Sequence, residues 1–381
     1  MLIVRMANKR TRYVIGCMTG TSLDALDAAL VQIDGEGLEL AAKLIRVVQQ
    51  PLGELAASLG KLAAGQSVEP TAYLTAARQL GELHAKAVTD LQADAPDVDF
   101  VVAHGQTIWH APQKGVSWQL FDPWPIVQQC QLPVCHDLRQ ADLVAGGQGA
   151  PITPISDWVM YRATHPRRIV NLGGICNVTD LLADSTPAEV TGEDIGPCNL
   201  LIDGLVQLLF TGQTFDADGR IAATGTINSD MYEAVSAAPF FTRPRPRTTG
   251  REDFSTQWVA SLMAQWDGKP ADAIASAVDA VARLIADTCP TANNLELILA
   301  GGGSKNPFLV ERIRYHLNDR ATVGLSDDVG IPVDAREAMA MAILGTLSAD
   351  SVPITLSQVT GAKNPGVAGV WAGRSDRNFS R

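Results

Sequence analysis

The chain has 381 residues, 46% of them apolar and 19% charged. That is enough apolar material for two full cores, it excludes a chain disordered throughout, and at ~150 residues per domain it predicts two to three domains. Thirty basic against 41 acidic residues leave a net charge of −11, the wrong sign for a general nucleic-acid or anionic-membrane binder, so an anionic ligand has to be held by local N–H groups or a metal.

The N-terminus, MLIVRMANKRTR, carries basic residues but no apolar core before Tyr13, so a cleaved signal peptide is not expected. The run Tyr13-Val14-Ile15-Gly16 leads through the small, hydroxylated stretch 17–22 to a second apolar run at 27–33. So short a connection leaves no room for a crossover helix and predicts a β-hairpin. Residues 71–94 follow a helical period, with Leu80, Leu83, Ala87 and Leu91 on one stripe. Residues 100–103 read as a buried strand ending at His104-Gly105-Gln106-Thr107. Six scattered cysteines without a C-x-x-C pair make a reduced, intracellular pattern; Cys130, Cys135 and His136 lack the second ligand pair of a zinc site. A boundary between two halves is expected within 137–154, where glycines and prolines follow the strand-like 132–134.

A second hairpin is expected from 168–172, Gly173-Gly174 and 175–182. Gly192-Glu193-Asp194-Ile195-Gly196-Pro197 then precedes a helix at 199–210, and Arg243, Arg245, Arg247 and Arg251 stand among prolines in what reads as a solvated loop. Helices are expected at 272–288 and 336–347. Between them a strand at 297–300 meets Gly301-Gly302-Gly303-Ser304, followed by a helix with Phe308, Leu309, Ile313 and Leu317 on one face. No apolar stretch approaches the ~18 residues of a membrane span, and a cytoplasmic location is expected. Helices alternating with short buried strands predict mixed α/β architecture with largely parallel sheets. A hairpin at the head of each half suggests duplication.

Ligands of α/β sheets gather at the carboxyl ends of strands. Thr19-Gly20-Thr21-Ser22-Leu23-Asp24 is therefore either an anion-binding turn built from successive N–H groups or an ordinary hairpin turn; no G-K-[ST] follows, so it is not a Walker A loop. Gly301-Gly302-Gly303 either lets a nucleotide approach the backbone or makes a tight strand-to-helix connection. Asp194 is a capping group or a carboxylate placed to act as a general base or to anchor Mg²⁺ through water. His104 is a ligand donor or a structural hydrogen-bonder. No G-x-S-x-G elbow and no H-E-x-x-H helix occurs, which leaves nucleotide chemistry in a two-lobed α/β protein.

The residues from Gly16 to Leu30, GCMTGTSLDALDAAL, resemble the opening motif of the anhydro-N-acetylmuramic acid kinases. His104-Gly-Gln-Thr107, Asp137-Leu-Arg139, Gly146-Gly-Gln-Gly-Ala-Pro151, Asn171-Leu-Gly-Gly174, Asp194-Ile-Gly-Pro197 with Asn199, and Thr249-Gly-Arg-Glu252 are similar to later blocks of that family in the same order. So are Gly301-Gly-Gly303 with Asn306-Pro307, Glu337-Ala338 and Thr360-Gly361-Ala362. The resemblance implies a two-domain sugar kinase/Hsp70/actin-like α/β fold of duplicated RNase H-like domains with an interdomain active-site cleft. Its lobes would be 1–140 plus 355–381, and 141–354. It implies an ATP- and Mg²⁺-dependent enzyme of peptidoglycan recycling that opens the ring of 1,6-anhydro-N-acetylmuramic acid and phosphorylates O6, commonly as a homodimer.

By block position, Asp194 would be the catalytic base. Gly20, Thr21, Ser22, Leu23, Asp24, Asp27, Gly173, Gly174, Gly301, Gly302, Gly303 and Asn306 would hold ATP. His104, Gln106, Thr107, Asp137, Arg139 and Glu337 would hold the sugar, with Arg139 facing the lactyl carboxylate unless it forms a structural ion pair with Asp137. No metal ligand is assigned. Three positions depart from the family pattern: Ala25 and Cys198 where glycine (or alanine, at 198) is usual, and Arg247 where lysine is frequent. The competing readings are another carbohydrate or carboxylate kinase, an Hsp70-type ATP-driven binding protein, and an inactive sugar-sensing regulator.

Overall fold

The computed structural model describes residues 11–20, 23–93, 95–249, 253–264 and 266–373. They fall into two compact units, Met1–Tyr161 with Asp334–Arg381, and Arg162–Val333.

In the first unit, β1 (Thr11–Thr19), β2 (Ala25–Asp34) and β3 (Ala41–Pro51) form an antiparallel meander, and β4 (Phe100–Ala103) pairs with β1 in parallel. After a small hairpin of β5 (Gln106–Ala111) and β6 (Val116–Leu120), β7 (Val134–His136) adds in parallel beside β4. In the second unit β8 (Arg167–Leu172), β9 (Ile175–Leu181) and β10 (Thr191–Pro197) repeat the meander, and β11 (Glu296–Ala300) and β12 (Thr322–Leu325) continue from β8 in parallel. The last strand, β13 (Val370–Ala372), returns to the first sheet beside β7.

The sheet orders are β13-β7-β4-β1-β2-β3 and β10-β9-β8-β11-β12. With strands counted within each sheet in chain order, both sheets therefore run 3-2-1-4-5, three antiparallel strands followed by two parallel ones, with β13 as an extra edge. That shared order is the duplicated RNase H-like architecture expected from the resemblance. The sheets are mixed rather than largely parallel, because connections of a few residues between the first three strands of each unit permit only antiparallel pairing.

Each sheet is covered by helices whose apolar stripes match its face. Val88 and Leu91 of the helix Pro70–Gln92 are buried in the first unit among the core residues around Ile15, Leu30 and Val101, while Leu80 of the same helix is buried in a smaller cluster with Leu59, Leu62 and Ile108. The helix Arg336–Ala349 lies so close to β1 that a Cβ on Gly16 would meet Ala338 O at 1.9 Å and Ala342 N at 2.5 Å; only glycine fits there. The second core joins Val170, Leu172, Leu297 and Leu299 to the helices Asn199–Leu209, Pro270–Asp287 and Pro307–Leu317. The expected boundaries at 140 and 355 move to Tyr161 and Asp334. Within the first unit a buried ion pair, Arg336 Nη2 to Asp157 Oδ1 at 2.6 Å, joins the helix Pro154–Tyr161 to Arg336–Ala349.

Candidate functional site

The candidate residues of the first unit gather at the carboxyl ends of β1 and β4. Leu23 takes φ 59° in the β1–β2 turn, its N–H donating to Gly20 O at 3.4 Å. Asp24 is exposed, and its Oδ1 accepts from Ala25 N at 3.0 Å. Thr21 and Ser22 lie outside the described residues. Ala25 stands opposite Pro51 in extended β2, so the departure from glycine leaves the ladder intact. Thr19 Oγ1 donates to Gly105 O at 2.9 Å, which ties this turn to the His104 block.

Asp27 accepts from Gln49 Nε2 at 2.8 Å. Burial first, and then the carboxylates of Glu337, Asp24 and Asp334, push its carboxyl up to about 6. Burial likewise raises Glu337 above the ordinary glutamate range, against the pull of Arg336. These acids crowd one another, yet among the described residues no group of three His, Cys, Asp or Glu side chains converges on a metal position.

His104 is buried, with Nδ1 2.8 Å from Gly105 O. Its Nε2 accepts from Arg139 Nε at 3.0 Å and lies 2.9 Å from Arg139 Nη2. Burial and the guanidinium hold its pKa down to about 3, so the ring is neutral, protonated on Nδ1. Arg139 Nη1 donates to Gly149 O at 2.7 Å, and burial brings the guanidinium pKa down to about 10. The Asp137–Arg139 pair weighed from sequence does not form: the guanidinium is committed to His104 and Gly149, and among the described residues no carboxylate sits at ion-pair distance from it. Asp137 instead turns the chain at φ 57° after β7.

Gln106 is buried with Oε1 lacking a partner among the described residues, and Thr107 Oγ1 accepts from Gln119 Nε2 at 3.2 Å. The next two sequence blocks are fastened by Asp142, whose Oδ2 accepts from Gly149 N at 2.7 Å and whose Oδ1 accepts from Thr360 Oγ1 at 2.7 Å. A Cβ on Gly147 would sit 2.2 Å from that carboxylate.

In the second unit the carbonyls of Gly173 and Gly174 accept from Asn199 N (3.0 Å) and from Cys198 N (2.9 Å) and Leu200 N (3.1 Å), closing the start of the helix Asn199–Leu209. Asn199 Nδ2 donates to Leu172 O at 3.1 Å. The glycine triplet folds against the same place. Gly301 has φ +78° and its Cβ would lie 2.6 Å from Asn171 Oδ1, while a Cβ on Gly303 would lie 2.8 Å from Leu172 Cβ. Gly302 differs, since the nearest atom to its Cβ position is Asn199 Nδ2 at 4.0 Å. Asn306 Oδ1 caps the helix Pro307–Leu317 by accepting from Leu309 N at 3.1 Å.

Asp194 lies on β10, at a bulge between Asp194 and Gly196 on the outer strand of the sheet. Its N–H donates to Arg247 O at 2.9 Å and its Oδ2 accepts from Thr249 N at 2.8 Å. The arginine–proline run is exposed at Arg243 and Arg245, as expected of a solvated loop, but it is tied down by side-chain pairs. Arg245 Nε bonds both oxygens of Glu193 at 2.8 and 2.9 Å, and Arg243 Nη1 reaches Asp253 at 2.8 Å. Arg251 lies outside the described residues.

Asp203 was not singled out from sequence. It stands on the mostly apolar helix Asn199–Leu209, where burial and then Asp216 raise its carboxyl to about 7. A lone acid in a run of leucine, isoleucine and valine was the signal available.

A family model described as anhydro-N-acetylmuramic acid kinase matches residues 12–372. Curated relatives of that name include proteins of Bordetella pertussis (strain Tohama I), 36% identical over 94% of this chain and 95% of theirs, and of Nitrosospira multiformis, 36% identical over 94% and 98%. A third, from Bacillus cereus (strain AH187), is 32% identical over 94% and 98%. Solved structures with partial likeness include component A of the (R)-2-hydroxyglutaryl-CoA dehydratase of Acidaminococcus fermentans (TM-score 0.45, 12% identity, 89% of this chain and 99% of that one). Another is a ROK family glucokinase from Streptomyces griseus in complex with glucose and AMPPNP (TM-score 0.36, 15% identity, 87% and 97%).

Proposed function

The chain belongs to the anhydro-N-acetylmuramic acid kinase family, and from that membership we infer both its reaction and the residues that perform it. It is an ATP-dependent kinase that opens the ring of 1,6-anhydro-N-acetylmuramic acid with water and phosphorylates O6, giving N-acetylmuramic acid 6-phosphate and ADP in peptidoglycan recycling.

The observation that carries the mechanism is the fixed carboxylate of Asp194, pinned through Thr249 N and through its own N–H to Arg247 O. Asp194 takes a proton from water as the water oxygen bonds to C1. The C1–O6 bond breaks and its electron pair stays on O6. O6 then bonds to the γ-phosphorus, and the bond from that phosphorus to the β-phosphate bridging oxygen breaks, releasing ADP. A base held by two backbone hydrogen bonds needs little reorganisation when the water arrives.

Phosphate oxygens are assigned to the turn from Gly20 to Asp24, Thr21 and Ser22 included, and the nucleotide to Gly301, Gly302 and Gly303 with Gly173 and Gly174. Asn306 acts as a helix cap that shapes the glycine turn. The crowded carboxylates Asp24 and Asp27 fit Mg²⁺ held through its water shell, because Mg²⁺ dehydrates reluctantly and usually takes one or two carboxylates together with phosphate oxygens. Bound there, the ion supplies charge neutralisation for the β- and γ-phosphates. His104, Gln106, Thr107, Asp137 and Glu337 are assigned to sugar hydroxyl and amide groups, and Arg139, a half-buried cation with no carboxylate at ion-pair distance among the described residues, to the lactyl carboxylate. A cytoplasmic homodimer belongs to the same reading. The discriminating assay is ADP release with and without the anhydro-sugar, with mass spectrometry of the product. A phosphorylated, ring-opened sugar formed only when both substrates are present supports the reading; sugar-independent ATP hydrolysis contradicts it.

A further inference from the structure

Asp194 sits on the edge strand of its sheet, opposite Asn177 of β9 on one side and, among the described residues, with no further strand on the other. What borders it is the segment carrying Arg247 and Thr249, which behaves as one rung of an added strand: the carbonyl of one residue takes the Asp194 N–H, and the amide two residues later gives to the carboxylate. A proline-rich segment has few other backbone bonds with which to hold such a register. Its order has to come from side chains.

Arg247 is the side chain at that rung. Its guanidinium carbon lies 4.6 Å from the centre of the Phe240 ring and 5.3 Å from that of Phe241, and Nη1 donates to Phe241 O at 3.0 Å. Phe240 is buried and meets Phe254 and Phe241 edge to face, at 5.5 and 5.1 Å between centroids. The guanidinium therefore anchors the rung to a stiff aromatic cluster. Two flanking clamps act in the same sense: Arg245 on Glu193, and Asp253, which accepts from both Arg243 and Thr249 Oγ1 (2.6 Å).

We propose that Arg247 is a positioning residue for the reaction, fixing the direction of the Asp194 carboxylate through the loop backbone without touching substrate. The inference rests on the assignment of Asp194 as the base. A lysine, frequent at this position in the family pattern, keeps the charge and a cation–π contact but loses the planar stacking and the side-on bond to Phe241 O.

The test is a double-substitution cycle on the full chain with Asp194→Asn, Arg247→Ala, Arg247→Lys and Asp194→Asn/Arg247→Ala, each checked for unchanged thermal unfolding of the cores. Arg247→Ala is expected to lower kcat by ~10–100-fold, the scale of a displaced catalytic group, with the KM values for ATP and sugar little changed. Arg247→Lys is expected to restore much of that loss. In the Asp194→Asn background Arg247→Ala should cost nothing further, because a residue acting only through the base has no effect once the base is gone. A full additional loss in that background overturns the proposal, and so does a raised sugar KM with kcat unchanged, which would put the guanidinium on the ligand. If Asp194→Asn alone retains wild-type turnover, the base assignment fails instead. If Arg247→Ala unfolds, the same comparison made with Arg247→Lys decides.

Discussion

Arg139 directs its Nε–H, and an Nη2 placed 2.9 Å away, at the same atom, Nε2 of a buried neutral His104. An imidazole lone pair cannot neutralise a guanidinium, so the cation keeps its full charge in a site that has pulled its pKa down to about 10. A ligand anion is the natural complement.

Arg139→Met keeps the bulk and removes the charge. It should weaken binding of the lactyl-bearing anhydro-sugar by ~100-fold, in keeping with a lost charge-assisted pair, and change much less the affinity for the same bicyclic sugar without its lactyl ether. Calorimetry with the two sugars reads the difference directly. Equal losses would place the lactyl group elsewhere.

Asp27 is held at about 6, above the ordinary 3.8 of aspartate, by burial and by its acidic neighbours. With the folded value raised, the native state keeps a proton that the unfolded chain has lost between those two pH values, and the stability linked to that proton disappears as pH rises through 6. Asp27→Asn should therefore raise the Tm of the ligand-free protein at pH 7.5 and raise it much less at pH 4. The same variant should need more Mg²⁺ to reach half-maximal activity. Equal gains at both pH values would mean that ionisation of Asp27 is not the cause.

The glycine triplet allows packing and ligand approach to be separated residue by residue. Gly303→Ala pushes a methyl to 2.8 Å from Leu172 Cβ and 3.0 Å from Asn199 Oδ1 and should lower the Tm. Gly302→Ala has open space around it and should leave the Tm unchanged while raising the KM for ATP ~10-fold or more if a nucleotide lies against that backbone. An unaltered KM in Gly302→Ala would remove the triplet from the nucleotide site.

Two buried histidines set an acid limit on the fold. Burial holds His84 down to about 4 and His104 down to about 3, below the ordinary 6.5. The unfolded chain therefore binds protons that the native state refuses, and stability declines as pH falls below 6.5. His84 Nδ1 lies 2.7 Å from Leu80 O and its Nε2 has no partner among the described residues. His84→Leu should flatten the fall in Tm between pH 7 and pH 5. A wild-type slope in that variant would exclude His84 as its source.

The hairpins and glycine turns were legible in the sequence because their signals are local. An apolar run, a glycine and a second run lie within some twenty residues, and both β1–β2 and β8–β9 formed where expected. The repeated 3-2-1-4-5 order could only be suggested, since strand pairing is a long-range outcome. Unit boundaries were misplaced for the same reason: the Arg336–Asp157 bond, which joins two helices of the first unit, spans 179 residues. Asp194 could be singled out by its place between glycines just before a helix, although the structure puts it within β10 rather than after a strand. What holds it could not, since Thr249 is 55 residues away and contributes a backbone N–H, which leaves no trace in residue type. The capping role of Asn306 was not legible beside the ligand contact implied by its block, because a helix cap and a binding asparagine follow the same glycine turn.

The most direct measurement is turnover of Asp194→Asn beside its affinity for ATP. The amide keeps the shape of the carboxylate while removing its basicity. The expected result is nucleotide affinity close to that of the wild type, with sugar-dependent ADP and phosphorylated sugar reduced ~1,000-fold or more. A variant that still phosphorylates the anhydro-sugar at a tenth of the normal rate would contradict the role of Asp194 in activating water.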